Sequence, residues 1–146
     1  MAVHTIKYNT LVNEIITPAV ISQAISLDGD IEAPDYYETD NAMWDTGATN
    51  TLVSKSIIEK LALHPHNKAK VLTAGGIITT DTYIVHIILP TGTAELDVEV
   101  LLNENNDYDI VIGMDIINKC DFCISNKNAK STLSIKHPAD NEIIFH

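Results

Sequence analysis

Hydrophobic and polar residues follow the spacing of β-strands over most of this chain, and β-branched residues are dense. Residues 95–102 set acidic side chains between aliphatic ones, which predicts a strand with one buried face. Residues 82–89 are apolar on both faces, as in a strand that is covered on both sides. Pro90-Thr91-Gly92 separates the two runs and predicts a hairpin connection. A further strand is predicted at residues 19–27, ended by Asp28-Gly29-Asp30.

Only two short helices are predicted. Residues 54–61 place Ile57, Ile58 and Leu61 on one face, and Ser56 with Glu59 has the spacing of a capping box. The second helix covers residues 114–119 and begins immediately after Gly113. Residues 32–41 are acidic and polar, which favours a surface loop. The patterns together predict a mostly-β single domain with two short helices.

Composition excludes several classes of function. The 146 residues contain 9 Lys and Arg against 20 Asp and Glu, a net charge of −11, so we expect no nucleic-acid partner, because phosphate backbones require clustered positive charge. No run approaches the ~18 apolar residues of a membrane span, and the first residues do not form a secretory signal. Two cysteines do not make a disulfide framework. We therefore expect a cytoplasmic protein that does not engage membranes.

One short motif carries candidate chemistry. Asp45-Thr46-Gly47-Ala48 occurs once, directly after the apolar run Ala42-Met43-Trp44. A carboxylate at the end of a buried strand can be aimed and hydrogen-bonded, and the glycine allows another backbone to come close. Strings of this kind are also common in ordinary turns, so the interpretation depends on the segments that follow.

Three later segments stand at informative distances from Asp45. Residues 49–54 form a polar turn and a short strand that leads into the first helix. Residues 69–83 are two strand-like runs around the adjacent Gly75 and Gly76, which predicts a hairpin with a mobile tip. Residues 108–117 form an apolar strand that Gly113 breaks into a short helix.

In this order the segments resemble the retropepsin-like aspartic proteases, with closest likeness to the retrotransposon and cellular branch, where apolar–apolar–Gly–Met–Asp–apolar is typical. The resemblance covers about residues 41–135. It implies a closed, β-barrel-like acid protease fold with one lobe per chain. We expect residues 19–136 to form the protease domain. Residues 1–18 and 137–146 match no motif and are candidate dimer-interface strands.

The resemblance also implies a mechanism. Because the chain has a single Asp-Thr-Gly string, it is similar to the homodimeric members, in which Asp45 of each subunit meets the other on a two-fold axis. Two carboxylates ~3 Å apart share one proton and activate a water molecule against a peptide bond. The expected partners are a second copy of the chain and a polypeptide substrate, and no cofactor or metal is implied.

Roles for the remaining residues are implied position by position. The Thr46 hydroxyl matches a hydrogen bond across the dimer axis, the Gly47 backbone matches a substrate contact, and Ala48 supports the same loop. Gly113 matches the point where a strand crosses behind that loop. The flap that closes over the peptide corresponds to four residues: Ala74, Gly75, Gly76 and Ile77.

The chain departs from viral members at three positions. Thr49 and Met114 stand where an acidic residue and an arginine are common, so these side chains form no salt bridge. Trp44 places an indole beside Asp45, where smaller aliphatic residues are usual, and is expected either to pack in the core or to shape a pocket.

Other candidate residues have competing interpretations. The Cys120 and Cys123 spacing fits half a zinc site or a redox pair, but reduced thiols are favoured. His64-Pro-His66 is interpreted as a solvated turn rather than a metal site. Asp115 is expected to stabilise a helix end, and His86 to be a satisfied core or interface histidine. The alternative to an active enzyme is a catalytically silent module that keeps the fold for dimerisation or peptide binding.

Overall fold

The computed structural model describes residues 2–24 and 35–146. Ten strands, two α-helices and one short 3-10 turn lie within these ranges, which confirms the predicted mostly-β fold with two short helices. In chain order they are β1 (Ala2–Lys7), β2 (Ile15–Gln23), β3 (Tyr36–Trp44), β4 (Leu52–Ser54), α1 (Lys55–Lys60), β5 (Asn67–Thr73), β6 (Gly76–Ile88), β7 (Ala94–Asn103), β8 (Ile110–Ile112), α2 (Met114–Ile117), β9 (Asp121–Ser125), the turn Lys127–Ala129 and β10 (Thr132–His137).

The larger sheet has seven strands among the described residues, in the order β2-β3-β8-β4-β7-β6-β5. Strand β2 pairs with β3 on one side and with β6 on the other, so six of the strands hydrogen-bond in a ring. Their inward side chains form the core, because the ring removes them from water. The fully buried members include Ile21, Val53, Val85, Ile87, Val100, Ile110 and Ile112.

A second sheet contains the first and the last strands of the described residues. Strand β10 lies between β1 and β9 and is antiparallel to both, with Ala2 opposite His137. Leu133 and Ile135 of β10 are buried and join the main core. The domain boundary expected at residue 19 falls inside β2, and the dimer-interface role of both termini stays a prediction.

Residues 36–41 are strand, so the loop predicted there is wrong. They belong to β3 and pair with β2, with Tyr37 opposite Ile21 and Thr39 opposite Ala19. Glu38 and Asp40 are exposed while Thr39 is buried. The segment is therefore a strand with alternating exposed and buried positions, although its residues are mostly polar. The predictions for residues 25–34, including the end of the 19–27 strand, lie outside the described residues.

Helix α1 is capped by Ser54, so the capping box predicted at Ser56 is wrong. The Ile57 N–H donates to Ser54 Oγ at 3.3 Å, and Ile57 and Ile58 are buried as predicted. Helix α2 begins after Gly113 as predicted but ends at Ile117. Within residues 2–24 and 35–146, neither helix has the length and apolar run that a membrane crossing needs.

The β6–β7 hairpin around Pro90-Thr91-Gly92 is confirmed, but the regular alternation predicted for β7 is wrong at its start. The register shifts between Val85 and Ile87, and Asp97 adopts a positive φ of 53°. Leu96 is 64% exposed as a result, while the Glu95 side chain turns inward. The Asp97 N–H donates to His86 Nδ1 at 3.0 Å, in agreement with a satisfied histidine.

Glu95 ties the two sheets together. His137 Nε2 lies 2.6 Å from its Oε1, and Lys119 Nζ donates to its Oε2 at 3.0 Å. Burial by itself raises the pKa of Glu95, but the hydrogen bonds from His137 and Lys119 outweigh it, so the pKa lies below its usual value of 4.5.

Replacing Glu95 with Gln is therefore expected to lower the free energy of unfolding by about 1–3 kcal/mol at neutral pH. Because the folded pKa is depressed, the stabilisation is present above the ordinary pKa of 4.5 and is lost as the pH falls through the folded value. Urea unfolding of both proteins across pH 3–7 checks this, with the exposed Glu99→Gln on the same strand as control. A stability difference that does not shrink in acid would contradict it.

Candidate active site

Asp45 follows directly after the last residue of strand β3, at one end of the ring. Its N–H donates to the Ile112 carbonyl at 2.9 Å, so β8 fixes the backbone, and its Oδ1 accepts from the Gly47 N–H at 2.8 Å. The carboxylate is half-buried, while Thr46 and Gly47 are exposed. The predicted catalytic residue is thus held in one orientation beside a loop that a partner or ligand can reach.

Strand β8 is the platform on which the 45–51 loop lies. It is buried at all three positions and runs between β3, to which it is parallel, and β4, to which it is antiparallel. The loop leaves β3 and returns through β4, so it must cross the end of β8. Because β8 pairs with both strands, its last residues lie directly behind Asp45.

Gly113 occupies this crossing point, as predicted. A Cβ at position 113 would lie 2.7 Å from both the carbonyl carbon and oxygen of Asn50 and 2.8 Å from the Ala48 oxygen. Real Cβ atoms do not approach backbone so closely, so glycine is required here for steric reasons. The sequence pattern around Gly113 reflects this contact.

Backbone hydrogen bonds join the loop to α2 where the viral-type salt bridge is missing. The Met114 N–H donates to the Ala48 carbonyl at 2.7 Å, and the Asp115 N–H donates to the Thr49 carbonyl at 3.2 Å. The loop is therefore anchored without any charge at positions 49 and 114.

Asp115 has a larger role than the predicted helix-end stabilisation. Its Oδ1 accepts from the Ile116 N–H at 3.0 Å, as expected, but it also accepts from Thr51 Oγ1 at 2.8 Å, and Oδ2 accepts from the Thr51 N–H at 3.1 Å. Thr51 Oγ1 in turn accepts from the Gly113 N–H at 3.2 Å. This partly buried network fixes the far end of the loop, and no sequence signal pairs residues 51 and 115.

The predicted glycine hairpin is present. Strands β5 and β6 join through Ala74 and Gly75, Gly76 has a positive φ of 116°, and Thr73 Oγ1 donates to the Gly76 carbonyl at 2.8 Å. All the tip residues are exposed, and Leu72 and Ile77 beside them are 81% and 71% exposed. The hairpin thus presents apolar side chains to solvent.

A cleft of about 400 Å³ separates this hairpin from the 45–51 loop. Its lining comes from residues 47–50 of the loop, from Lys70, Val71 and Leu72 of β5, and from Leu52 and Leu101. The structure therefore brings Gly47 and Ala48 together with the side of the hairpin. The predicted tip residues, Ala74 to Ile77, do not line the cleft in this single chain.

Trp44 has both of its expected roles, packing in the core and lining a pocket. It is 5% exposed, its Nε1 donates to Thr17 Oγ1 at 2.9 Å, and its ring packs against Phe122 with centroids 5.4 Å apart. It also lines a second cavity of about 370 Å³, which Asp45 and Thr46 border. The indole is a core residue whose edge reaches the site.

The other candidates remain apart from Asp45. Both cysteines are free, and burial, with Glu95 and Asp121 nearby, raises the pKa of Cys120 to about 11, which keeps that thiol protonated. His64 and His66 are exposed. The described part of the chain brings no three His, Cys, Asp or Glu side chains into a group that could hold a metal ion.

Comparison with known proteins shows the family to which the chain belongs. Comparison with curated proteins finds no match. Among solved structures, a retropepsin-like aspartic protease from Rickettsia conorii is similar over 90% of this chain and 91% of its own, with 14% identity and a TM-score of 0.49. A family described as "gag-polyprotein putative aspartyl protease" matches residues 38–119, which is more than half of the chain and runs from within β3 to just beyond α2. The chain therefore belongs to this family of gag-polyprotein aspartyl proteases.

Proposed function

We propose that two copies of this chain form an aspartic endopeptidase in which both Asp45 carboxylates activate one water molecule. The observation that carries the proposal is the orientation of Asp45, whose Oδ1 accepts a hydrogen bond from the Gly47 N–H beside an exposed loop. Behind that loop, Gly113 allows the backbone of Ala48 and Asn50 to come close. Family membership supports protease chemistry in general. Each chain contributes one such aspartate, so a dyad requires two chains.

The reaction then follows from a shared proton. Two carboxylates ~3 Å apart hold one proton between them, because two charges at that distance repel strongly. The ionised carboxylate takes a proton from water as the water oxygen bonds to the peptide carbon, and the protonated carboxyl donates to the developing oxyanion. The C–N bond breaks as the amine receives a proton from the dyad.

Thr46 supports the dimeric arrangement. Its side chain is exposed beside Asp45, and it makes no hydrogen bond within the described part of its own chain. A hydroxyl both donates and accepts, so two Thr46 side chains on a two-fold axis can satisfy each other or the opposite backbone. The exposed Ile143, Ile144 and Phe145 near the C-terminus are a further apolar surface that we assign to the same interface.

Replacing Thr46 with Ala is expected to weaken dimerisation about tenfold, since a hydrogen-bonded pair at an interface contributes about 1–2 kcal/mol. Sedimentation equilibrium gives the dimer dissociation constant directly. Thr49→Ala, exposed on the same loop, is the matched control. An unchanged constant in the Thr46 variant would contradict the proposed role.

The hairpin provides the cover that the reaction needs. Its exposed Leu72 and Ile77 lie at the end of a two-stranded projection, and side chains of β5 already face the 45–51 loop across the cleft. An extended peptide in the cleft would gain strand-like backbone contacts and shed water from the dyad. We assign Ala74, Gly75, Gly76 and Ile77 to the tip of this flap.

A transition-state analogue separates this function from a silent module. A statine-type inhibitor carries a hydroxyl in place of the tetrahedral carbon, so a competent dyad binds it more tightly than the matching substrate peptide. We expect peptide turnover by the wild-type dimer and inhibition by the analogue. Peptide binding without turnover at any pH, with no preference for the analogue, would contradict the proposal and favour the module.

A further inference from the structure

Lys70 is the charged residue among those that line the cleft. Side chains alternate along β5, so Lys68, Lys70 and Leu72 share one face of the hairpin. Lys68 lies opposite Asp81 and donates to its Oδ1 at 3.0 Å. Lys70 lies opposite Thr79, which carries no charge, and within residues 2–24 and 35–146 it has no ion pair or hydrogen bond. Its ammonium group is therefore left for a ligand.

The remaining cleft lining is uncharged. Leu52, Val71, Leu72 and Leu101 provide apolar surface, and Asn50 adds an amide beside the loop backbone. No carboxylate lines this cleft, although the chain has 20 acidic residues and only 9 Lys and Arg. An unpaired cation above an apolar floor, on an otherwise acidic protein, marks a local preference for negative charge.

We propose that Lys70 makes the cleft a subsite for an acidic side chain of the substrate, a glutamate or an aspartate. The methylene groups of such a side chain contact the leucines, while its carboxylate meets the Lys70 ammonium and the Asn50 amide. The inference rests on the proposed function, because it places the peptide between the hairpin and the Asp45 loop. The two-fold axis repeats the cleft, so an acidic residue is accepted on both sides of the cleaved bond.

The expected size of the preference for an acidic side chain depends on how exposed Lys70 is to solvent. Lys70 is exposed in the peptide-free chain, and exposed ion pairs contribute little to binding. Closure over a peptide removes water and strengthens the attraction. We expect roughly a five- to tenfold preference in kcat/KM for Glu over the isosteric Gln, and a smaller preference as salt is raised.

The test scans Glu, Gln and Lys through each position of a cleavable peptide. Wild type is expected to favour Glu at one position on either side of the scissile bond. Lys70→Met, which keeps an unbranched apolar stem, should treat Glu and Gln alike, and Lys70→Glu should favour Lys. Lys68→Met, on the same strand face but paired with Asp81, should keep the wild-type preference. Equal cleavage of Glu and Gln peptides by wild type would overturn the inference and leave the endopeptidase intact.

A binding experiment separates the two proposals. The same peptides are titrated onto the Asp45→Asn variant, which retains the cleft but lacks the dyad. Preference for Glu in binding, lost with Lys70→Met, supports the subsite even where wild type shows no turnover, a result that would contradict only the catalytic proposal. Neither turnover nor a charge preference in binding would overturn both.

Discussion

Replacing Asp45 with Asn is expected to abolish peptide cleavage, lowering kcat by on the order of 10⁴-fold or more. Asparagine is nearly isosteric, and its Oδ1 can still accept from the Gly47 N–H, so the loop keeps its shape. The amide can neither take a proton from water nor share one with its partner, so both halves of the dyad fail together. Steady-state cleavage of a peptide library from acidic to neutral pH measures the loss.

The control for this change is Asp107→Asn, which removes a carboxylate from an exposed loop far along the chain. It should leave cleavage unchanged, and both variants should keep the wild-type melting temperature and dimer dissociation constant. Cleavage that survives in the Asp45 variant would exclude Asp45 as the nucleophile-activating group.

Replacing Gly113 with Ala is expected to destabilise the fold by about 3 kcal/mol or more. The new Cβ would meet the Asn50 backbone at 2.7 Å, and backbone cannot rotate away as a flexible side chain can. Relief of the clash must move β8 or the 45–51 loop, and either shift displaces Asp45. Loss of activity should therefore accompany the loss of stability, and urea unfolding with a cleavage assay measures both.

Gly75→Ala is the matched control for stability. Among the described residues, the nearest atom to a Cβ at that position would be Thr73 Oγ1 at 3.9 Å, an ordinary van der Waals distance, and Gly75 has no positive φ. Its free energy of unfolding should stay within about 0.5 kcal/mol of wild type. Equal stability of the Gly113 and Gly75 variants would contradict the steric account of the crossing.

Local pattern was enough to predict much of this molecule. The apolar runs, the Gly75 hairpin and the helix after Gly113 depend on neighbours within a few residues, so the sequence shows them directly. The importance of Gly113 was visible only through family likeness, because the atoms that exclude a side chain there belong to Ala48 and Asn50, far away along the chain.

Other features could not be predicted from neighbouring residues in the sequence. Thr39 is buried in a polar-looking strand because its hydroxyl donates to Asp109 Oδ2 at 2.6 Å, across 70 positions of sequence. The Thr51–Asp115 bonds span 64 positions in the same way. Glu95 turns inward only because a bulge in the β6–β7 pair shifts the register. In each case a distant partner reverses what composition alone predicts.

The most direct test of the account is the structure of the protein bound to a statine-type inhibitor. It is predicted to show a two-fold dimer in which the two Asp45 carboxylates lie ~3 Å apart and both contact the inhibitor hydroxyl. Asp45 residues that face away from each other, or an inhibitor bound to a single chain, would contradict the shared dyad.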